Sequence, residues 1–135
     1  MIKLIIGKKG SGKTKKLADM VNASAKESLG NVICIEKGDT LTYSVTHKVR
    51  LIDADNYGIN GYNEYYGLIC GIKSSNHDVT HIFGDATLRI GGRDYDELIK
   101  FFERLNNIDD VEFIFTISAD KDELPNKVFD LAEVC

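Results

Sequence analysis

Eight residues, numbers 7–14, place the tightest constraint on what this chain can fold into. They read GKKGSGKT and match the pattern G-x-x-x-x-G-K-[ST] at every fixed position. The short run before them, residues 2–6, has the character of a strand, and residues 14–29 have the apolar spacing of a helix. A glycine-rich turn between a strand and a helix directs backbone N–H groups at an anion. The sequence therefore predicts a phosphate-binding loop (P-loop) at residues 7–14.

The residue types in the P-loop suit a nucleoside triphosphate with magnesium, and we expect ATP and Mg²⁺ as the ligands. The Lys13 ammonium can reach the β- and γ-phosphates, and the Thr14 hydroxyl can ligate the metal ion. The glycines let the backbone turn tightly around the anion. All eight positions are predicted to contact the nucleotide: Gly7, Lys8, Lys9, Gly10, Ser11, Gly12, Lys13 and Thr14.

Strand-like and helix-like segments alternate along the chain. The predicted strands are residues 2–6, 32–35, 49–52, 79–83 and 111–117, and the predicted helices are residues 14–29, 61–73 and 95–105. Strands that are apolar throughout and separated by helices indicate a parallel sheet covered on both faces. We expect an α/β fold, a three-layer sandwich with a mostly parallel, doubly wound sheet, formed by residues 1–135 as a single nucleotide-binding domain.

Two local features of the sequence remain to be tested by the structure. Asp94 is predicted to cap the helix that follows it, with Glu97 completing a capping box. Residues 38–48 alternate weakly in hydrophobicity, which is compatible with an extra edge strand or a long loop.

Charge and composition limit the classes of partner and the cellular compartment that we expect. The net charge of −4 does not indicate nucleic-acid binding. The three cysteines are widely spaced and form no zinc-binding pattern, and they suit a reducing compartment. No apolar segment is long enough for a membrane span or a signal peptide, so we expect a cytoplasmic protein.

A P-loop requires an acidic partner for the metal ion, commonly an aspartate at the end of an apolar strand. Residues 79–85 read VTHIFGD and end at Asp85, whereas residues 49–53 read VRLID and end at Asp53. Chain order favours Asp85 as the metal ligand, because a strand and a helix separate it from the first strand–helix unit. Asp53 and Asp55 are the alternatives.

On these motifs the chain resembles the P-loop NTPases. The order of its elements is similar to that of the division with an additional strand and a catalytic glutamate, the RecA-like and FtsK/HerA-like ATPases. This resemblance implies that a polar residue after the aspartate strand senses the γ-phosphate, which points to Thr116, with Ser118 as second choice. The segment SADKDELP is also similar to one in type IV pilus retraction ATPases.

The chain departs from the resemblance at one position. Ala86 follows Asp85 where these families often carry the catalytic glutamate. RecA-like members instead place a glutamate at the end of the strand after the P-loop helix, which here implies Glu36 as the catalytic base. Arg89 and Arg93 lie in the loop after the aspartate strand, and either could be an arginine finger supplied in trans.

Three functions are compatible with these residues. The first is a magnesium-dependent ATPase, the second a non-catalytic nucleotide-binding module, and the third a kinase for a small acceptor. The absence of a glutamate after Asp85 keeps the second open, while the chain shows no arginine-rich lid of the kind that a kinase uses. A homo-oligomer or a protein partner is compatible with any of the three.

Overall fold

Six parallel strands form the centre of the molecule. The computed structural model describes residues 1–135, and its strands are β1 (Ile2–Gly7), β2 (Asn31–Glu36), β3 (Arg50–Asp53), β4 (Val79–Gly84), β5 (Glu112–Ser118) and β6 (Glu133–Val134). The order across the sheet is β3-β2-β4-β5-β1-β6. Every neighbouring pair runs parallel, so the C-terminal ends of all the strands lie at one edge.

Helices connect the strands. They are α1 (Lys13–Glu27), α2 (Tyr62–Ser75), α3 (Thr87–Gly91), α4 (Tyr95–Leu105) and α5 (Asn126–Leu131), with short 3₁₀ helices at Ala54–Tyr57 and Lys121–Glu123. No helix combines the length and apolar character that a bilayer crossing requires.

Both faces of the sheet are buried, each in its own hydrophobic core. Alternate residues of β2 show the division: Ile33 and Ile35 belong to a core of 24 residues shared with α2 and α4, whereas Val32 and Cys34 belong to a core of 11 residues shared with α1. Successive side chains of a strand point to opposite faces, so a strand buried on both sides must be apolar at nearly every position. The predicted three-layer α/β sandwich is confirmed, and its sheet is parallel throughout.

The structure decides the two local questions. Residues 38–48 form a loop that covers α1, in which Leu41 and Val45 are buried and Tyr43 is exposed. Asp94 caps α4, since its carboxylate accepts hydrogen bonds from the backbone N–H groups of Asp96 and Glu97 at 3.1 and 3.3 Å. The capping box was wrong in its second half, because the Glu97 carboxylate instead pairs with Lys100 one turn along.

Gly84, the last residue of β4, sits beneath two aromatic side chains. A Cβ atom at this position would collide with the hydroxyl of Tyr65 and would lie 2.6 Å from the ring of Phe115. Both aromatic residues are fully buried, so neither can move aside without opening the larger core. This close packing fixes the end of β4, and therefore the position of Asp85, at the C-terminal edge of the sheet.

We therefore expect Gly84→Ala to destabilise the protein by about 1–3 kcal/mol, the usual cost of overpacking a filled core. Urea denaturation monitored by circular dichroism measures the change. Gly67→Ala is the matched control, because Gly67 lies on the exposed side of α2 with no atom within 4 Å of its added Cβ. Alanine should raise stability there by about 0.5–1 kcal/mol. Equal effects of the two substitutions would contradict the packing argument.

Candidate functional site

A cleft of about 1070 Å³ opens at the C-terminal edge of the sheet, bounded by the P-loop, the ends of β4 and β5 and the start of α3. We call it the strand-end cleft. Its lining has two acidic side chains, Asp85 and Glu123, and seven basic ones: Lys8, Lys9, Lys13, Lys15, Lys37, Arg89 and Arg93. The cleft is thus strongly positive although the whole chain carries a net charge of −4. Such a local excess attracts polyanions.

The P-loop forms a tight turn that is held by its own hydrogen bonds. Gly10 and Gly12 have φ angles of 86° and 87°, a left-handed conformation that glycine adopts without strain. The carbonyl oxygen of Lys8 accepts two hydrogen bonds, from the backbone N–H of Ser11 at 3.1 Å and from the Lys13 ammonium at 2.9 Å. Gly7 permits this turn, because a Cβ atom there would lie 2.5 Å from the Ser11 hydroxyl.

Lys13 is buried at the first position of α1, inside the strand-end cleft. Burial lowers the pKa of its ammonium, and the nearby Asp85 carboxylate opposes part of that change. A further anion in the cleft would stabilise the charged form of Lys13. The contact of Lys13 with a phosphate stays a prediction.

Asp85 lies between two threonine hydroxyls. The hydroxyl of Thr14 donates to Asp85 Oδ2 at 3.2 Å, and the hydroxyl of Thr116 donates to Asp85 Oδ1 at 2.6 Å. The structure therefore brings together the two predicted metal ligands, Thr14 and Asp85, and the predicted phosphate sensor, Thr116. All three line the strand-end cleft.

The alternative acidic residues are used elsewhere. Asp53 ends β3, at the opposite side of the sheet from β6, and three strands lie between β3 and β1. Its carboxylate accepts from the backbone N–H groups of Gly38 and Asp55, both at 2.9 Å, and so caps a 3₁₀ helix. Asp55 pairs with Lys37. Neither carboxylate contacts Thr14, so the geometry favours Asp85.

Ala86, which follows Asp85, adopts a left-handed conformation with φ 54° and ψ 44°. This conformation costs about 1–2 kcal/mol in a residue that has a Cβ atom. Its backbone N–H donates to the Thr116 hydroxyl at 2.9 Å, which links the end of β4 to β5. The Thr116 hydroxyl therefore both supports the turn after Asp85 and orients the carboxylate.

Glu36, the predicted base, is buried at the end of β2 and does not line the strand-end cleft. Its Oε1 atom accepts from the Thr40 hydroxyl at 3.0 Å and from the backbone N–H of Leu41 at 3.3 Å. Burial raises the pKa of the Glu36 carboxyl, the two hydrogen bonds oppose that change, and Asp85 adds to it. The carboxylate thus faces its own loop, and its role as a base stays a prediction.

Arg89 and Arg93 line the cleft of the chain that carries them. The sequence-based prediction placed them only in a neighbouring subunit, as arginine fingers supplied in trans. It also missed Lys37 and Thr40, which reach the cleft from the loop after β2. Their position immediately after a strand of a parallel sheet was the available signal, since all such loops meet at one edge. Ser118, the second choice for the sensor, lines the cleft as well, and its hydroxyl makes no hydrogen bond.

The donor set fits magnesium held together with phosphates. Mg²⁺ prefers oxygen ligands and is commonly bound through one or two carboxylates plus substrate phosphates and water. Thr14 and Asp85 supply a hydroxyl and a carboxylate at one point of the cleft. No group of three or more His, Cys, Asp or Glu side chains in residues 1–135 could hold a metal ion without such phosphates.

Comparison with known proteins places the fold. No protein-family model and no curated protein sequence matches the chain. Among solved structures, the flagellar accessory protein FlaH from Methanocaldococcus jannaschii superposes with a TM-score of 0.61 at 16% sequence identity. The match covers 96% of the present chain and 65% of the FlaH chain, so the chain spans less than two thirds of that protein's length. The similarity shows a shared fold, a three-layer α/β sandwich.

Proposed function

We propose that this chain binds ATP with magnesium in the strand-end cleft and hydrolyses it. One observation carries the proposal: the Thr14 hydroxyl and the Asp85 carboxylate, 71 residues apart in the sequence, meet at 3.2 Å beside a P-loop of the required sequence. A P-loop threonine and an aspartate at the end of a strand are the pair that holds Mg²⁺ in P-loop NTPases.

In this proposal, separate residues hold the phosphates, the metal ion and the attacking water. The P-loop backbone and the Lys13 ammonium hold the phosphates, and Thr14 and Asp85 hold the metal ion. Bound magnesium would neutralise charge on the β- and γ-phosphates. Thr116 orients Asp85, and Glu36 positions the attacking water once its carboxylate leaves Thr40 and Leu41. Positioning and electrostatic stabilisation supply most of the catalysis in phosphoryl transfer.

Lys13→Ala should weaken ATP binding about 10-fold to 100-fold, because it removes a charge-assisted hydrogen bond worth about 1.5–3 kcal/mol. Isothermal titration calorimetry with a non-hydrolysable ATP analogue and Mg²⁺ measures the loss. Lys26→Ala is the matched control, since Lys26 is an exposed lysine in the last turn of the same helix. Equal affinity of the Lys13→Ala variant and the unmodified protein would reject the P-loop assignment.

Glu36→Gln should leave ATP binding almost intact and slow hydrolysis about 10²-fold, the scale of losing a general base. Glutamine retains an oxygen that can accept from Thr40 and Leu41, so the loop after β2 keeps its bonds. Phosphate release under saturating ATP measures the rate. An unchanged rate would eliminate Glu36 as the base.

The same variant should change how stability depends on pH. Because the pKa of Glu36 is raised on folding, its favourable contribution is complete below the unfolded-state pKa and is lost as pH rises through the folded-state pKa. Glu36→Gln removes that loss. Its melting temperature should exceed that of the unmodified protein near pH 8, and the difference should shrink towards about pH 4. A difference that is constant with pH would show that Glu36 titrates normally in the folded protein.

A non-catalytic nucleotide-binding module is the second candidate. The observation that favours it is the absence of a carboxylate facing the cleft in the position of the base: Ala86 follows Asp85, and Glu36 is bonded to its own loop. Protein that binds ATP but releases no phosphate, alone or at high concentration, would support the module. Phosphate transfer that depends on an added small acceptor would support the kinase instead.

A further inference from the structure

The end of α3 and the loop that follows it, residues 90–94, are held by hydrogen bonds and close packing at the rim of the strand-end cleft. The Tyr62 hydroxyl donates to the carbonyl oxygen of Gly92 at 2.7 Å, and the Gly61 N–H donates to the carbonyl oxygen of Ile90 at 2.8 Å. Gly91 lies directly on the Tyr62 ring, where an added Cβ atom would collide with ring carbons. The loop is thus fixed from below by the first turn of α2.

The two ends of this loop are fixed as well. Gly92 has a φ angle of 103°, a conformation suited to glycine, and its N–H donates to the carbonyl oxygen of Leu88 at 2.9 Å. At the other end, Asp94 caps α4. Arg93 lies between these anchors, so its backbone has little freedom. A side chain on such a backbone is pre-organised for a ligand.

The Arg93 guanidinium sits beside the entrance to the P-loop. Its Nη2 donates to the carbonyl oxygen of Ser118 at 3.3 Å. Ser118 is paired with Gly7, the first residue of the P-loop, across β5 and β1. Arginine has five N–H donors, and Arg93 uses this one bond only and makes no ion pair. The remaining donors stay available to an anion in the cleft.

Arg89 provides a useful contrast. It lines the same cleft from α3 and is exposed like Arg93, but it makes neither a hydrogen bond nor an ion pair. It can approach a ligand only by giving up rotamer freedom, which weakens the net gain. Of the two arginines, Arg93 is the one that the fold positions.

We propose that Arg93 binds the terminal phosphate in the same chain that carries the P-loop, and so distinguishes a nucleoside triphosphate from a diphosphate. The inference rests on the proposed function, because it assumes a nucleotide on the P-loop. The P-loop cradles the α- and β-phosphates through its backbone. Arg93 lines the same cleft as Asp85 and Thr116, beside the first residue of the P-loop, so its charge is placed for a phosphate beyond the two that the loop cradles. A guanidinium binds phosphate through two parallel N–H bonds, which gives geometric selectivity.

The test compares the affinities for a non-hydrolysable ATP analogue and for ADP, each with Mg²⁺, by calorimetry. Arg93→Gln should raise the Kd of the ATP analogue about 10-fold or more and that of ADP less than about 3-fold, since one charge-assisted bond to the third phosphate is lost. Arg93 is exposed, so the fold should persist, and an unchanged melting temperature checks this.

Two further variants sharpen the test. Arg50→Gln makes the same charge change at an exposed residue of β3, outside the cleft, and should leave both affinities unchanged. Tyr62→Phe removes only the hydroxyl that holds Gly92, and should lower the preference for the triphosphate part of the way without abolishing ADP binding. Tyr62 acts here as a positioning residue, and the ratio of the two affinities separates that effect from general destabilisation.

The outcomes separate the two proposals. Unmodified protein that binds neither nucleotide would overturn the proposed function and this inference with it. Unmodified protein that binds both, together with an Arg93→Gln variant that weakens both equally or neither, would overturn the inference alone. A selective loss of triphosphate binding in Arg89→Gln, with Arg93→Gln unaffected, would also overturn it.

Discussion

The Asp85 carboxylate joins three distant parts of the chain, and the candidate site depends on that junction. It accepts hydrogen bonds from Thr14 at the start of α1 and from Thr116 in β5, while Asp85 itself follows β4. The junction requires that β5 lie between β4 and β1, which is the observed order. With any other strand between β4 and β1, Asp85 and Thr14 would still share an edge, but Thr116 would not reach Asp85.

The packing beneath this junction explains why it is so well defined. Gly84 accepts the close approach of Tyr65 and Phe115, so the end of β4 cannot shift without disturbing the larger core. Ala86 is held in a left-handed turn by its bond to Thr116. Local backbone strain persists in proteins only where the surroundings over-determine it. Here the restraints come from the dense core around Gly84 and from the hydrogen bond between Ala86 and Thr116.

Two cations of the cleft donate hydrogen bonds to backbone carbonyl groups. Lys13 donates to the carbonyl oxygen of Lys8, and Arg93 donates to that of Ser118. These neutral partners leave the positive charges uncompensated, apart from the interaction of Lys13 with Asp85. A polyphosphate would replace neutral acceptors with charged ones, and charge-assisted bonds are roughly twice as strong. The arrangement therefore favours anion binding without requiring a large change in the backbone.

The sequence by itself determined the features that local physics controls. The P-loop follows from glycine spacing, the strands and helices follow from the period of the apolar residues, and the cap at Asp94 follows from the preference of aspartate for that position. Only the tertiary structure showed which of Asp85, Asp53 and Asp55 lies beside Thr14, because strand order depends on how two sheet faces pack against helices far away in the sequence. The same non-local packing brought Arg93 to the cleft of its own chain. Residue spacing along the chain does not reveal these placements, because they depend on contacts between residues tens of positions apart.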